Sequence, residues 1–274
     1  MNKFYIQTAL FLLSIFAYAN NETLAAEPAP GEDTKPQLRS RYLTSEEIFE
    51  KNKNLLCTNP EETKQAVELM DEAVVCLVYH ATNNDDSEPS KIDTGTSSLS
   101  YKKKYEKPKN LLKTNCRFYN FGLYNFIVNM TWDPEQVSFP INNSDITSKK
   151  KITRKVVRVY DPNLIIIQQR YKNSIFARWK YFYALAKKVE LSEDKTIIVM
   201  ASANINDQYP SDREYKNTII ENANLFKTAI ESEEDIKQGK LKKVFVNIAG
   251  YLIENIENHI HITYIESINK EDST

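Results

Sequence analysis

VVRVYDPNLIIIQQRY (Val156–Tyr171), NSIFARWK (Asn173–Lys180) and YFYALAKKVELSEDKTIIVMASANI (Tyr181–Ile205) form a nearly unbroken series of short runs rich in β-branched and aromatic residues. The joins Asp161-Pro162-Asn163 and Ser192-Glu193-Asp194-Lys195 are turn formers, so the stretch reads as strands in an antiparallel meander. From Tyr181 to Glu190, one face takes Tyr181, Tyr183, Leu185 and Val189, while the other takes Phe182, Ala184, Ala186 and Glu190. That two-residue period is the mark of a strand. Ile197, Val199 and Ala201 alternate in the same way with Thr196, Ile198 and Met200. Both faces are partly apolar, so the sheet either covers something on each side or curls around an interior. A curled sheet with a helix against it can hold a ligand.

Upstream, Asn59 is placed to cap a helix that begins at Pro60 and carries Glu61 and Glu62 in its first turn, where carboxylates face the positive helix end. Ala66, Val67, Met70, Ala73, Val74, Leu77 and Val78 recur at three- and four-residue steps up to Asn83-Asn84, which predicts a long amphipathic helix packed on the sheet. Leu99–Tyr105 and Asn115–Phe121 read as weak strands, and Lys102, Lys103, Lys104, Lys107, Lys109, Lys113 and Arg117 as a solvated basic edge or a membrane-facing patch. Tyr124–Trp132 is a short helix stopped by Asp133-Pro134. Pro140–Lys155 is expected to be loop, polar helix or turn, with a basic cluster at Lys149, Lys150, Lys151, Arg154 and Lys155. Downstream come a polar loop (Asn206–Lys216), a strand (Asn217–Lys227), an acidic helix or loop ended by Gly239, and a closing hairpin through HIHITYIESI (His259–Ile268).

Met1–Ala19 has a basic Lys3, an apolar stretch and an Ala-x-Ala end, the pattern of a secretory signal peptide. Asn20–Ser40 is polar and aperiodic, and the leader to residue 57 is expected to be disordered or weakly helical. One β-rich domain then runs over residues 58–268, with a tail at 269–274. An oxidising route permits disulfides, and Cys57, Cys76 and Cys116 predict one pair plus one buried thiol. With 36 Lys and Arg against 37 Asp and Glu, no global field favours nucleic acid. The five glycines stand far apart, which argues against a phosphate-cradling loop. His259 and His261 share a strand face but lack a third ligand at metal-site spacing, and no hydrolase motif appears, so neither an enzyme nor a bound cofactor is expected.

NPEETKQAVELMDEA (59–73), IVNMTWDP (127–134), RVYDPNLIIIQQRYK (158–172), YFYALAKKVELSED (181–194), SEEDIKQGKLKKVFVN (232–247) and HITYIESI (261–268) occur in an order that resembles the START, or steroidogenic acute regulatory protein-related lipid transfer, domain. More narrowly they resemble the fam-a multigene family of rodent malaria parasites. The resemblance implies an α+β helix-grip fold: a curved antiparallel β-sheet around a lipid cavity, with an N-terminal helix. It implies a phospholipid ligand such as phosphatidylcholine, transient contact with membranes, and transfer between parasite and host cell. Asp133 after Trp132 matches the head-group position of choline-lipid-binding members, whereas an arginine found four residues earlier in some of them is Asn129 here. Arg170 and Arg178 are the nearest alternatives for a phosphate. With Tyr183 and Met200 of the meander, these make Trp132, Asp133, Arg170, Arg178, Tyr183 and Met200 the candidate lipid-contacting residues. The C-terminal lid helix of such domains has no counterpart after Ile268, which would leave aliphatic surface exposed at roughly 25 cal/mol per Å². A secreted, variable interaction protein that has lost transfer is therefore the alternative. Arg41-Tyr42-Leu43 resembles the start of the export motif of secreted malaria-parasite proteins, which implies the parasitophorous vacuole or the host erythrocyte; Thr44-Ser45-Glu46-Glu47 reads equally as a helix start.

Overall fold

Among the described residues the first element is a capped helix. In a computed structural model, residues 42–83, 90–93, 98–105, 111–119, 121–135, 151–172, 176–210 and 215–269 are described. The expected signal peptide, the leader before residue 42, Arg41 and the tail after 269 lie outside them, as do the side chains of Lys102, Lys103, Lys104, Lys107 and Lys109 and those of Lys149, Lys150 and Lys151. Thr44 and Glu47 form a reciprocal capping box at the start of α1 (Ser45–Lys51). A 3-10 turn follows, and the Cys57 amide donates to the Val159 carbonyl at 2.8 Å. Residues 42–57 are thereby fastened to the domain.

Asn59 caps α2 (Pro60–Thr82), its Oδ1 accepting from the amides of Glu61 and Glu62 at 3.0 and 3.2 Å. The apolar stripe also includes Leu69, Cys76 and Ala81. At the other end Lys113, expected on a solvated edge, is buried; its ammonium donates to the carbonyls of Ala81 and Asn83 at 2.6 and 3.1 Å. A cation at the negative end of a helix has a partner that a bare strand edge lacks, which is why this lysine turns inward.

The strands are β1 (Ser90–Asp93), β2 (Ser98–Tyr105), β3 (Leu111–Phe118), β4 (Lys151–Asp161), β5 (Leu164–Lys172), β6 (Lys180–Ser192), β7 (Lys195–Ala201), β8 (Asn204–Asn206), β9 (Lys227–Ala229), β10 (Lys242–Lys243), β11 (Phe245–Ile256) and β12 (His259–Asn269). Ten of them form one sheet in the order β1-β2-β3-β12-β11-β7-β6-β5-β4, with β10 added in parallel to β6. All other neighbours in that sheet are antiparallel, and register breaks in β4–β5, β6–β7 and β11–β12 bend it. This is the curved antiparallel sheet of a helix-grip fold. Its two faces carry separate cores. Leu164, Ile166, Tyr181, Tyr183, Leu185, Ile197 and Val199 meet α2, whereas Ile165, Ile167, Phe182, Ala184, Ala186 and Ile198 meet α1 and α3 (Tyr124–Trp132).

Three expectations are corrected. β4 begins at Lys151, inside the stretch read as loop or turn. Residues 217–227 are not a strand: Asn217 Oδ1 accepts from the amides of Ile219 and Ile220, and Asn224 Oδ1 accepts from the Asn217 amide. Side-chain acceptors there occupy backbone donors that a ladder would need, leaving a 3-10 turn at Asn222–Asn224 and the short β9. The three cysteines are free: Cys76 lies on α2 with its thiol against the Ile219 carbonyl, and Cys116 belongs to the opposite core. Burial pushes the Cys76 thiol up to about 12, with Glu72 adding to the shift. As expected, α4 (Glu234–Lys237) ends at Gly239, whose φ of 65° is a left-handed cap.

Gly250 of β11 lies against Leu77 of α2. A β-carbon there would collide with the Ile198 carbonyl, meet Val199 Cα at 2.8 Å and Leu77 Cδ1 at 3.1 Å. Gly250→Ala is expected to cost about 1–3 kcal/mol through overpacking, read as a lower denaturation midpoint in urea.

Candidate functional site

Arg154 identifies the inner face of the sheet. It alternates with Val156 on β4 and pairs with Gln169 of β5, whose Oε1 accepts from Arg154 Nε and Nη2 at 2.9 and 2.6 Å. The titratable groups near enough to affect its guanidinium are nevertheless the neutral phenols of Tyr251 on β11 and Tyr264 on β12. In the sheet order β12 and β4 are five spacings apart, about 24 Å if the sheet were flat. Tyr171 of β5 likewise feels the Glu266 carboxylate of β12, and burial together with that charge pushes its phenol up to about 12. Side chains on the two wings therefore face each other. The sheet is rolled, and the face bearing Arg154 is concave.

The floor of the roll carries the small residues Ala184, Ala186 and Ala249, all buried in the concave core. Toward the hairpin ends of the strands the concave face is filled by α1 and α3, where the hydroxyls of Tyr124 and Thr196 lie 2.8 Å apart. Away from them Arg154, Gln169, Tyr171, Met200 and Glu266 face inward yet stay half-buried. Arg154 is surrounded by protein, and the lost hydration lowers its pKa from the ordinary arginine value. Its guanidinium is thus enclosed while the residue keeps some accessible surface. No carboxylate among the described residues lies within ion-pair distance of it. Glu266 is held by a neutral group, accepting from the Tyr264 hydroxyl at 2.6 Å, and it too lacks an ion-pair partner among the described residues. Aromatic contacts line the same face: Tyr251 and Tyr264 are 4.8 Å apart between ring centroids, and Tyr171 meets Phe182 edge-on.

Its structural neighbours are StAR-related lipid transfer domains. The chain is similar to human STARD10 with a TM-score of 0.42 and 11% identity, covering 73% of this chain and 69% of that chain. Human StAR-related lipid transfer protein 5 gives a TM-score of 0.47 at 7% identity, over 77% and 85%. The human StarD13 lipid transfer and protein localization domain gives 0.37 at 13%, over 69% and 78%. No protein-family model and no curated protein matches the sequence.

The six residues singled out from sequence separate in space. Trp132 and Met200 belong to the concave core, and the buried Trp132 indole N–H has no acceptor among the described residues. Asp133 is buried at the end of α3, where its oxygens accept from the amides of Leu43 at 3.2 Å and Glu135 at 2.9 Å, tying the leader to the domain. Arg170 and Tyr183 lie on the convex side. Arg170 is paired with Asp235 and Glu233, each at 2.8 Å; the Tyr183 hydroxyl accepts from Gln168 at 2.6 Å and lies 2.8 Å from Ser232 Oγ. Arg178 donates to the carbonyls of Gly239, Lys240 and Leu241. Sequence reasoning filed Arg154 with a basic cluster and passed over Gln169, Tyr251, Tyr264 and Glu266. The available signal was Arg154 standing in the alternation Ile152, Arg154, Val156, where a solvated face has no reason to resume apolar residues.

The carboxylates that stitch loops to the sheet predict an acid-labile fold. In Glu62 burial raises the carboxyl's pKa, but hydrogen bonds from Tyr160, Arg158 and Thr228 outweigh it and leave a net lowering. Burial likewise opposes the bonds from Lys155 and Gln168 that bring Glu233 to about 2, and His261 and Lys195 bring Glu254 to about 2 against burial. With folded values below the ordinary 4.5, their contribution is complete above that pH and drains away as pH falls toward 2. The thermal midpoint is expected to be level near neutrality and to fall through this window, as followed by circular dichroism. A midpoint level down to the bottom of the window would contradict it.

Proposed function

We propose that this protein is a lipid carrier that takes one amphiphile into the rolled sheet, with the polar head at Arg154 and the acyl chains along the apolar floor. The observation that carries this reading is an enclosed, solvent-touched guanidinium with no carboxylate within ion-pair distance among the described residues, on a face that apart from Gln169 and Glu266 is mainly aromatic and aliphatic. A buried cation held only by a neutral amide gains most from an anionic partner. The apolar remainder of that face gains from a hydrocarbon one. Phosphatidylcholine fits both, and the sequence resemblance to the fam-a family of rodent malaria parasites agrees with it. In that reading the chain is a secreted, non-catalytic protein that moves phospholipid between parasite and host membranes, in the parasitophorous vacuole or the exported space, touching membranes only transiently.

The test is native mass spectrometry of the purified full chain after incubation with phosphatidylcholine vesicles, together with a vesicle-to-vesicle transfer assay using fluorescent phosphatidylcholine. One lipid per chain and accelerated transfer are expected. Bound lipid without transfer would replace the carrier with a protein that keeps lipid in place. No lipid of any class in the folded chain would overturn the reading.

A further inference from the structure

The segment that precedes α2 is fastened in two unlike ways. At its C-terminal end the Cys57 amide bonds to the Val159 carbonyl and Leu56 bridges the same residue, so the chain passes from β4 straight into the Asn59 cap of α2. Three contacts at its N-terminal side go instead to α3 and the residues just after it. The Leu43 amide donates to Asp133 Oδ2 at 3.2 Å, Lys51 pairs with Glu135, and the Tyr42 ring meets Phe126 edge-on at 4.9 Å. Between the two fastenings Ile48 is buried in the concave core, with Leu43, Phe49 and Leu55 half-buried against it. This docking has a cost. Ser45 Oγ is fully buried with no hydrogen-bond partner among the described residues, and the buried indole N–H of Trp132, next to Asp133, also lacks one. A buried polar atom without a partner favours any state that returns it to water. A helix of seven residues does not persist alone, so α1 is kept in place by its docking and not by its own stability.

We propose that residues 42–55 are a hinged strap over the concave face: released from α3, they swing out about residues 56–59 and open that face to ligand without unfolding the sheet or α2. This rests on the carrier reading above and adds the moving part that governs exchange. The unequal fastenings set the direction of the motion. Lifting the N-terminal side severs one amide-to-carboxylate bond, one exposed ion pair and one aromatic edge contact, and it returns the Ser45 hydroxyl to water. An exposed ion pair resists little. Lifting the other end would break the bridge to Val159 and disturb the start of α2. Ile48 is then the main restraint, because it alone of the strap's apolar side chains is buried outright. A gate speeds entry and departure alike, so it alters the rate of lipid exchange far more than the amount held at equilibrium.

The experiment is hydrogen–deuterium exchange of the full chain, read by mass spectrometry, paired with vesicle-to-vesicle transfer of fluorescent phosphatidylcholine. In wild type, peptides covering α1 should exchange about a hundredfold faster than those covering the buried middle of α2, Leu69–Leu77. Asp133→Ala, which removes the acceptor of the Leu43 amide, should speed α1 exchange about tenfold, and transfer with it. Ser45→Ala, which removes the unpartnered hydroxyl, should slow both about threefold. Neither should alter exchange in α2, nor change the lipid bound at equilibrium by more than about twofold. If Asp133→Ala does not fold, Tyr42→Ala takes its place, with both rates up about threefold. Protection of α1 equal to that of α2 in wild type, or α1 exchange unmoved by the variants, overturns the hinged strap. Exchange that responds while transfer does not overturns the gate and leaves the carrier intact. No lipid taken up by folded wild type overturns the carrier, and the gate with it, whatever the strap's exchange.

Discussion

Replacing Asp207 with alanine is expected to cost about 3–5 kcal/mol, the usual penalty for leaving a buried charge without its partner. Asp207 is buried beneath the loop that follows β8. Its carboxylate accepts from the Lys243 ammonium at 2.7 Å, the Tyr181 hydroxyl at 2.9 Å and the Tyr209 amide at 3.3 Å. Tyr181 is fully buried, and its phenol is raised far above the ordinary value by burial first and Asp207 second, so without the carboxylate it becomes a donor with nowhere to give its proton. Lys243, over the rings of Tyr209 and Phe245, loses its counter-ion but keeps its enclosure. The thermal midpoint should fall by roughly 10 °C or more for a domain of this size. Lys243→Met in the same chain should recover part of it, because the uncompensated cation is then gone. Glu50→Ala, which breaks only the exposed pair with Lys53, should change stability by less than about 0.5 kcal/mol. Equal effects at Asp207 and Glu50 would mean that the loop is not held by this network.

Met200→Trp is expected to reduce lipid uptake by about tenfold or more, with only a small change in thermal midpoint. Met200 projects from the floor of the concave face, and its partners across the two neighbouring strands are Ala249 and Ala186. With only alanines beside it, the indole's added bulk goes into the space that the proposed carrier assigns to acyl chains. Uptake per folded chain, measured by native mass spectrometry, is the readout. Unchanged uptake would place the lipid elsewhere, since a cavity cannot hold both.

Much of the fold was legible because it is encoded locally. Asn59 and Pro60 marked the start of α2, Asp161-Pro162-Asn163 and the Ser192–Lys195 turn marked the hairpins, and alternation in Tyr181–Glu190 divided the residues of β6 between two cores. Asn217–Lys227 misled because its apolar residues resemble a strand, while its asparagines close turns on the backbone. Lys113 misled because the helix end that receives it is about thirty residues away in sequence.

The candidate site was legible only in part. Met200 and Trp132 were singled out and lie at the concave core, whereas Arg170 and Arg178 are engaged with Asp235, Glu233 and backbone carbonyls. Which arginine is left without a carboxylate depends on what packs above each strand face, and no spacing in the chain records that. The sequence by itself determined that the sheet has two apolar faces, where its strands turn, and which helix would lie against it, because periodicity and capping act within a few residues. Only the tertiary structure decided which face is concave and that Arg154 of β4 would come near tyrosines of β11 and β12. That approach depends on the roll of a ten-stranded sheet, a sum of strand twists and register breaks over pairings far apart in the chain.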